Sequence, residues 1–168
     1  MIYYNRNMII RPIEEKDIKA CLDLYNYYVL NTTFSFEEAE VTFEDFSSRV
    51  QRISAKYPYI VAEVGGKVLG FAYVHEFMVR SAYRFSVELS LYVEKDARGQ
   101  NIGSALLEDI LKRCKEQGLK QVVSIITAEN EMSCRFHEKK GFKFVGEVEK
   151  VGYKFGKWLN IKYYQISL

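Results

Sequence analysis

One carboxylate and one glycine-bearing loop carry the chemistry this sequence advertises. Glu88 lies in the middle of an alternating run, Phe85 to Val93. Phe85, Val87, Leu89, Leu91 and Val93 share one face, and Ser86, Glu88, Ser90 and Tyr92 share the other. A mid-strand glutamate between serines is either a general base or a solvent-facing side chain, and the pattern alone leaves both open. Arg98-Gly99-Gln100-Asn101-Ile102-Gly103 follows and opens a helix whose Leu107, Ile110, Leu111 and Cys114 recur at helical spacing. Such a loop frees several backbone N–H groups before the positive end of a helix dipole, which makes an anion site suited to phosphate. It is not a P-loop, because Gly103 is followed by Ser104 and Ala105 with no lysine. It is a poor dinucleotide fingerprint, because only Gly99 and Gly103 are present. An ordinary strand-to-helix connection capped at Gly103 or Ser104 is the bland alternative.

The elements that must position these residues can be read in order. Met8–Pro12 reads as a strand stopped by proline, and residues 14–30 as a helix with Ile18, Cys21, Leu22, Tyr25, Tyr28 and Val29 on its apolar stripe. Residues 31–41 lack a clear period and read as a loop with Phe34 or Phe36 turned inward. Thr42 is a candidate N-cap for a second helix, which Pro58 closes off. Residues 59–64 and 68–74 flank Gly65-Gly66 as a hairpin. A connection carrying Arg80, Tyr83 and Arg84 leads into the Glu88 strand. Beyond the helix over 104–117, ended at Gly118, come a β-branched strand over 121–127, a turn at Asn130 and a short helix over 132–140. Residues 143–148, 153–157 and 161–168 read as final strands. The order predicts one mixed α/β domain over residues 1–168, with parallel strands either side of the phosphate-loop helix.

Composition narrows the function classes. The chain has 168 residues, 48% hydrophobic and 27% charged, which is enough for a full core. A net charge of +2 gives no ground for nucleic-acid or membrane attraction. No apolar run has the length of a membrane span, and the N-terminal stretch lacks a signal peptide's apolar core. Cys21, Cys114 and Cys134 show no C-x-x-C spacing; they predict free thiols in a reducing cytoplasm and no zinc site. Thirteen tyrosines and eleven phenylalanines suggest aromatic lining of a pocket or a subunit interface.

The loop resembles the pyrophosphate-binding motif of the GNAT superfamily of N-acetyltransferases, Arg/Gln-x-x-Gly-x-Gly/Ala. Arg98, Ile102 and Gly103 match, and Asn101 stands where the motif has glycine. Asparagine is the non-glycine residue that best tolerates a left-handed backbone. The resemblance continues at Asn130 and at His137-Glu138-Lys139-Lys140-Gly141-Phe142, where His137 replaces the usual tyrosine. It is closest to the phosphinothricin and methionine sulfoximine or sulfone acetyltransferase group. Tyr57-Pro58, Arg80-x-x-Tyr83, Val87-Glu88-x-Ser90-x-Tyr92-Val93 and Gly152-x-Lys154-x-Gly156-x-Trp158 carry that likeness.

The resemblance implies a twisted mixed sheet flanked by helices, with splayed strands holding acetyl-CoA and no metal. It implies Glu88 as general base, directly or through a water, and His137 as proton donor to the thiolate or simply a packed side chain. Main-chain groups of Leu91, Tyr92 and Val93 would meet the pantetheine arm, and a backbone N–H around Leu89 to Leu91 would meet the oxyanion. Arg98, Gly99, Gln100, Asn101, Ile102, Gly103 and Ser104 would hold the pyrophosphate, with Asn130 opposite. Arg80, then Tyr83, with Phe36, Lys154 and Trp158 behind them, would bind an amino-acid-like amine. His75 is expected to be structural or pocket-lining. A homodimer joined through the C-terminal strands is expected. An acceptor at a protein N-terminus, a lysine or a polyamine, and a non-catalytic acyl-CoA sensor, are the competing readings.

Overall fold

The computed structural model describes residues 8–168. Seven strands form one sheet in the order β1-β2-β3-β4-β5-β7-β6. They are β1 (Met8–Pro12), β2 (Tyr59–Val64), β3 (Lys67–Glu76), β4 (Ser86–Val93), β5 (Gln121–Thr127), β6 (Lys143–Lys154) and β7 (Lys157–Ser167). The helices are α1 (Ile18–Asn31), α2 (Phe43–Ser54), α3 (Ile102–Glu116) and α4 (Glu131–Lys139). Among the described residues, only β4 and β5 are parallel neighbours, and α3 is their crossover. Up to α4 the element order is the expected one.

Two apolar clusters cover the two faces of the sheet. On one, Val87, Leu89, Val122 and Ile126 pack under Leu106, Leu107 and Ile110 of α3. On the other, α1 and α2 bury Phe46, Tyr25 and Tyr28 against Phe71 and Tyr59, with Tyr73 and Tyr92 alongside. Much of the aromatic content is therefore stacked core: Tyr59 and Tyr73 lie parallel at 4.8 Å between ring centres. Cys21 and Cys114 are fully buried, and the three cysteines are free.

Local chemistry explains most boundaries. Thr42 accepts the Asp45 N–H at 3.1 Å and caps α2. Asp17 accepts two hydrogen bonds from the Arg11 guanidinium at 2.6 and 2.9 Å. Glu15–Asp17 forms a short 3-10 turn, and α1 begins at Ile18. Gly70 lets α3 approach β3, because a Cβ there would sit 2.9 Å from the Tyr92 carbonyl oxygen and 3.2 Å from Ile102. The C-terminal segment corrects one expectation. It forms two long strands, not three short ones, because Phe155 and Gly156, both at positive φ, make a tight turn between them. The break read after Val148 is a bulge in β6, with Lys150 at φ +50°.

Candidate active site

A cleft opens where β4 and β5 part. They pair at Ser86↔Gln121, Val87↔Val122 and Glu88↔Val123, and then the ladder stops although both strands continue. The space between Leu89–Val93 and Ser124–Thr127 is about 380 Å³. Backbone groups on these parted edges have no partner across the gap, so a ligand threading it would find hydrogen bonds waiting.

The loop over residues 98–103 forms the mouth. Gly99 lies at φ +82° and Asn101 at φ +62°, so the asparagine does adopt the left-handed backbone. The first helical bond is Ala105 N–H to Asn101 carbonyl, which leaves the preceding N–H groups without an intrahelical acceptor. Arg98 Nη2 donates to Tyr28 Oη at 2.9 Å, and Tyr28 Oη donates to the Val93 carbonyl at 2.6 Å. A cation is thus fixed beside the free N–H groups. Of residues 98–104, Gln100 alone does not line the cleft. Asn130 does, while its Oδ1 accepts the Ser133 N–H at 3.2 Å and caps α4.

Glu88 occupies the last rung before the parting. Its face of β4 carries Tyr92 into the α1/α2 cluster, while Val87 and Leu89 point to α3. The face read as polar is therefore half-buried. Burial pushes the Glu88 carboxyl above the ordinary carboxylate range, and His75 works weakly against that. His75 stands directly opposite across β3–β4, with Nε2 3.9 Å from Glu88 Oε1. Its Nδ1–H donates to the Glu76 carbonyl at 2.9 Å, which turns Nε2 to the carboxylate. His75 is thus the electrostatic neighbour of Glu88, a role its strand-end position did not reveal.

His137 lines the cleft but is 5% exposed. Its Nδ1–H donates to the Ser133 carbonyl at 2.8 Å, and its ring packs edge-on against Phe136 and Phe142. Burial lowers its pKa, which disfavours the charged imidazolium here.

The expected acceptor ligands are not gathered in one place. Arg80 and Tyr83 line a second hollow of about 300 Å³, with Gln117 and Leu119 beyond the end of α3; it shares no residue with the cleft. Lys154 is 3% exposed, and its ammonium donates to the carbonyls of Val29 at 2.6 Å and Ser35 at 2.7 Å. It is a clamp between β6 and the end of α1, so the expectation that it binds substrate is corrected. Phe36 lies against Gly152, where a Cβ would come within 2.2 Å of its ring; Phe34 lines the cleft in its place. Trp158 is 61% exposed and packs on Tyr153. Sequence reasoning passed over Tyr28, whose hydroxyl was hidden in an apolar stripe, and Ser124, the one hydroxyl inside the apolar run from Val122 to Ile126. Among the described residues, no group of three or more His, Cys, Asp or Glu could hold a metal ion.

Known proteins share this arrangement. Residues 10–161 match the family described as acetyltransferase (GNAT) domain. A phosphinothricin N-acetyltransferase of Streptomyces viridochromogenes is 34% identical over 95% of this chain and 87% of its own length. An L-methionine sulfoximine/L-methionine sulfone acetyltransferase of Pseudomonas paraeruginosa is 35% identical over 95% of this chain and 94% of its own. The crystal structure of a GNAT phosphinothricin acetyltransferase from Sinorhizobium meliloti, in complex with acetyl-CoA, superposes with a TM-score of 0.92. It is 34% identical and covers 96% of this chain and 89% of its own. With a parted β4–β5 pair and a glycine-bearing loop at the start of α3, the chain belongs to the GNAT family and is an acetyl-CoA-dependent N-acetyltransferase.

Proposed function

We propose that the protein acetylates the amine of a small amino-acid-like acceptor of the phosphinothricin or methionine sulfoximine type, with Glu88 as general base. The observation that carries this is a half-buried carboxylate at the apex of the β4–β5 parting. The names of the similar enzymes support the acceptor class.

The cleft fits acetyl-CoA. Free N–H groups at the start of α3 and the fixed Arg98 guanidinium suit its pyrophosphate, and the 380 Å³ slot suits its pantetheine arm. Acetyl-CoA supplies an activated acetyl thioester. Arg98, Gly99 and residues 101–104 hold the phosphates, main-chain groups of Leu91, Tyr92 and Val93 hold the arm, and Asn130 closes the opposite wall. This threads the arm toward the apex, beside Glu88. The raised pKa makes Glu88 a stronger base toward an ammonium group than a solvated carboxylate. Backbone N–H groups around Leu89 to Leu91, on the parted edge, face the oxygen on which negative charge develops. His137 packs the α4 wall. Residues 1–168 act as one domain, and the free buried thiols support a cytoplasmic location.

A homodimer is part of this reading. Phe144, Val145, Val148 and Val151 on the edge strand β6, Phe155 in the β6–β7 turn and Trp158 at the start of β7 expose apolar surface. Arg80 and Tyr83 remain the first acceptor ligands to test, acting from the loop before β4. The test is thiol release from acetyl-CoA with phosphinothricin, methionine sulfoximine, methionine sulfone, spermidine and a lysine peptide as acceptors. Turnover confined to the first three is expected. Turnover confined to spermidine or the peptide overturns the acceptor class, and CoA binding with no turnover on any acceptor favours a sensor.

A further inference from the structure

We propose that the Ser124 hydroxyl donates a hydrogen bond to the sulfur of acetyl-CoA and holds the thiolate that leaves. This rests on the reading of the β4–β5 cleft as the acetyl-CoA site.

Ser124 is 2% exposed and lines the cleft, yet its Oγ has no hydrogen-bond partner among the described residues. A buried hydroxyl without a partner destabilises the fold, so native chains seldom retain one without a use. Its surroundings do not explain it. Val122 and Ile126 share its face of β5 and are buried apolar residues under α3. Further along the strand, Thr127 donates its hydroxyl to the Thr33 carbonyl at 2.7 Å. Ser124 is therefore the β5 hydroxyl left without a protein acceptor.

Its position fits one atom of the substrate. Val123 pairs with Glu88 on the last rung, so Ser124 is the first β5 residue past the ladder. An amine delivered to Glu88 places the acyl carbon at this level, and the sulfur is bonded to that carbon. Glu88 points to the α1/α2 side of the sheet and Ser124 to the α3/α4 side. Base and leaving-group donor thus approach the thioester from opposite faces. His137, on the same wall, has its Nδ1 proton committed to Ser133 and so is not a competing donor in its neutral form.

The step balances without a further reagent. The amine lone pair forms the N–C bond, and the amine proton passes to the Glu88 carboxylate. The C–S bond breaks and its electron pair stays on sulfur. The Ser124 O–H holds that thiolate without giving up its proton. The thiolate takes a proton from water on release, and Glu88 returns its own to water.

Calorimetric titration of the full chain with CoA and with desulfo-CoA tests this, for wild type and Ser124→Ala, at a pH above the usual thiol value of about 8.5. Expected is a loss of about tenfold in CoA affinity, the size of one hydrogen bond to a charged group, with desulfo-CoA affinity unchanged. The thermal midpoint of the free variant should equal or exceed that of wild type, since an unpaired buried hydroxyl is removed. Equal losses on both ligands, or an unchanged CoA affinity, overturn the proposal and leave the cleft reading standing. Wild type that binds neither ligand overturns both.

Discussion

Lys154 holds its ammonium against two main-chain carbonyls, at Val29 and Ser35, that stand 125 and 119 residues away in sequence. Those carbonyls belong to the last turn of α1 and to the loop that brings Phe34 to the cleft. Replacing Lys154 with Met removes both donors and leaves the two acceptors buried. The expected cost is about 2–4 kcal/mol of unfolding free energy, read from the urea midpoint at unchanged m-value; a cost below about 0.5 kcal/mol would contradict the clamp. A lysine in a strand reads as a solvated cation, and nothing local announces partners so distant. His75 was obscure for the same reason, since its relation to Glu88 depends on the β3–β4 register. Glu88 was legible as a candidate because its strand alternates, but its burial depends on where α1 and α2 settle.

At the scale of elements, the strand–loop–helix unit was readable because its causes are local: alternation in β4, glycine and asparagine at left-handed positions, and helical spacing in α3. Asn101 tests that reading. At φ +62° an alanine carries a steric penalty that asparagine and glycine largely avoid. Asn101→Ala should lose about 1 kcal/mol of stability and weaken acetyl-CoA binding, whereas Asn101→Gly should lie close to wild type in both. Thermal melts and a cofactor titration check this, and an alanine variant equal to the glycine variant would contradict it. The segment 32–41 was not readable, because its order comes from outside. Thr127 donates to the Thr33 carbonyl, Thr33 donates to Glu129, and Asn26 pairs with both the N–H and carbonyl of Val41. The C-terminal hairpin was misjudged because a bulge and a tight turn look like strand ends in sequence.

For the whole molecule, Phe144, Val145, Val148 and Val151 leave apolar side chains exposed on the edge strand β6. A dimer through this face predicts a mass in solution of twice the 19.7 kDa chain. Trp158→Glu combined with Val151→Glu should shift it toward the monomer, because two charges would be buried unpaired. Light scattering after size exclusion reads this directly, and a wild-type monomer at micromolar concentration would contradict the interface. Glu88 also shapes the pH response of the whole chain. Burial raises its folded-state pKa above that of the unfolded chain. Between the two values the folded protein keeps a proton that the unfolded chain has lost, so stability falls as pH rises through that window. Glu88→Gln removes that loss and should be at least as stable as wild type above it.

The pH profile of kcat/KM for wild type and Glu88→Gln tests the account most directly. Wild type should rise with pH along a limb lying above the ordinary glutamate value of 4.5. The glutamine variant should lose about 10²–10⁴-fold in rate and lack that limb, while still binding acetyl-CoA. A glutamine variant that keeps the wild-type rate and limb would contradict the assignment of the base.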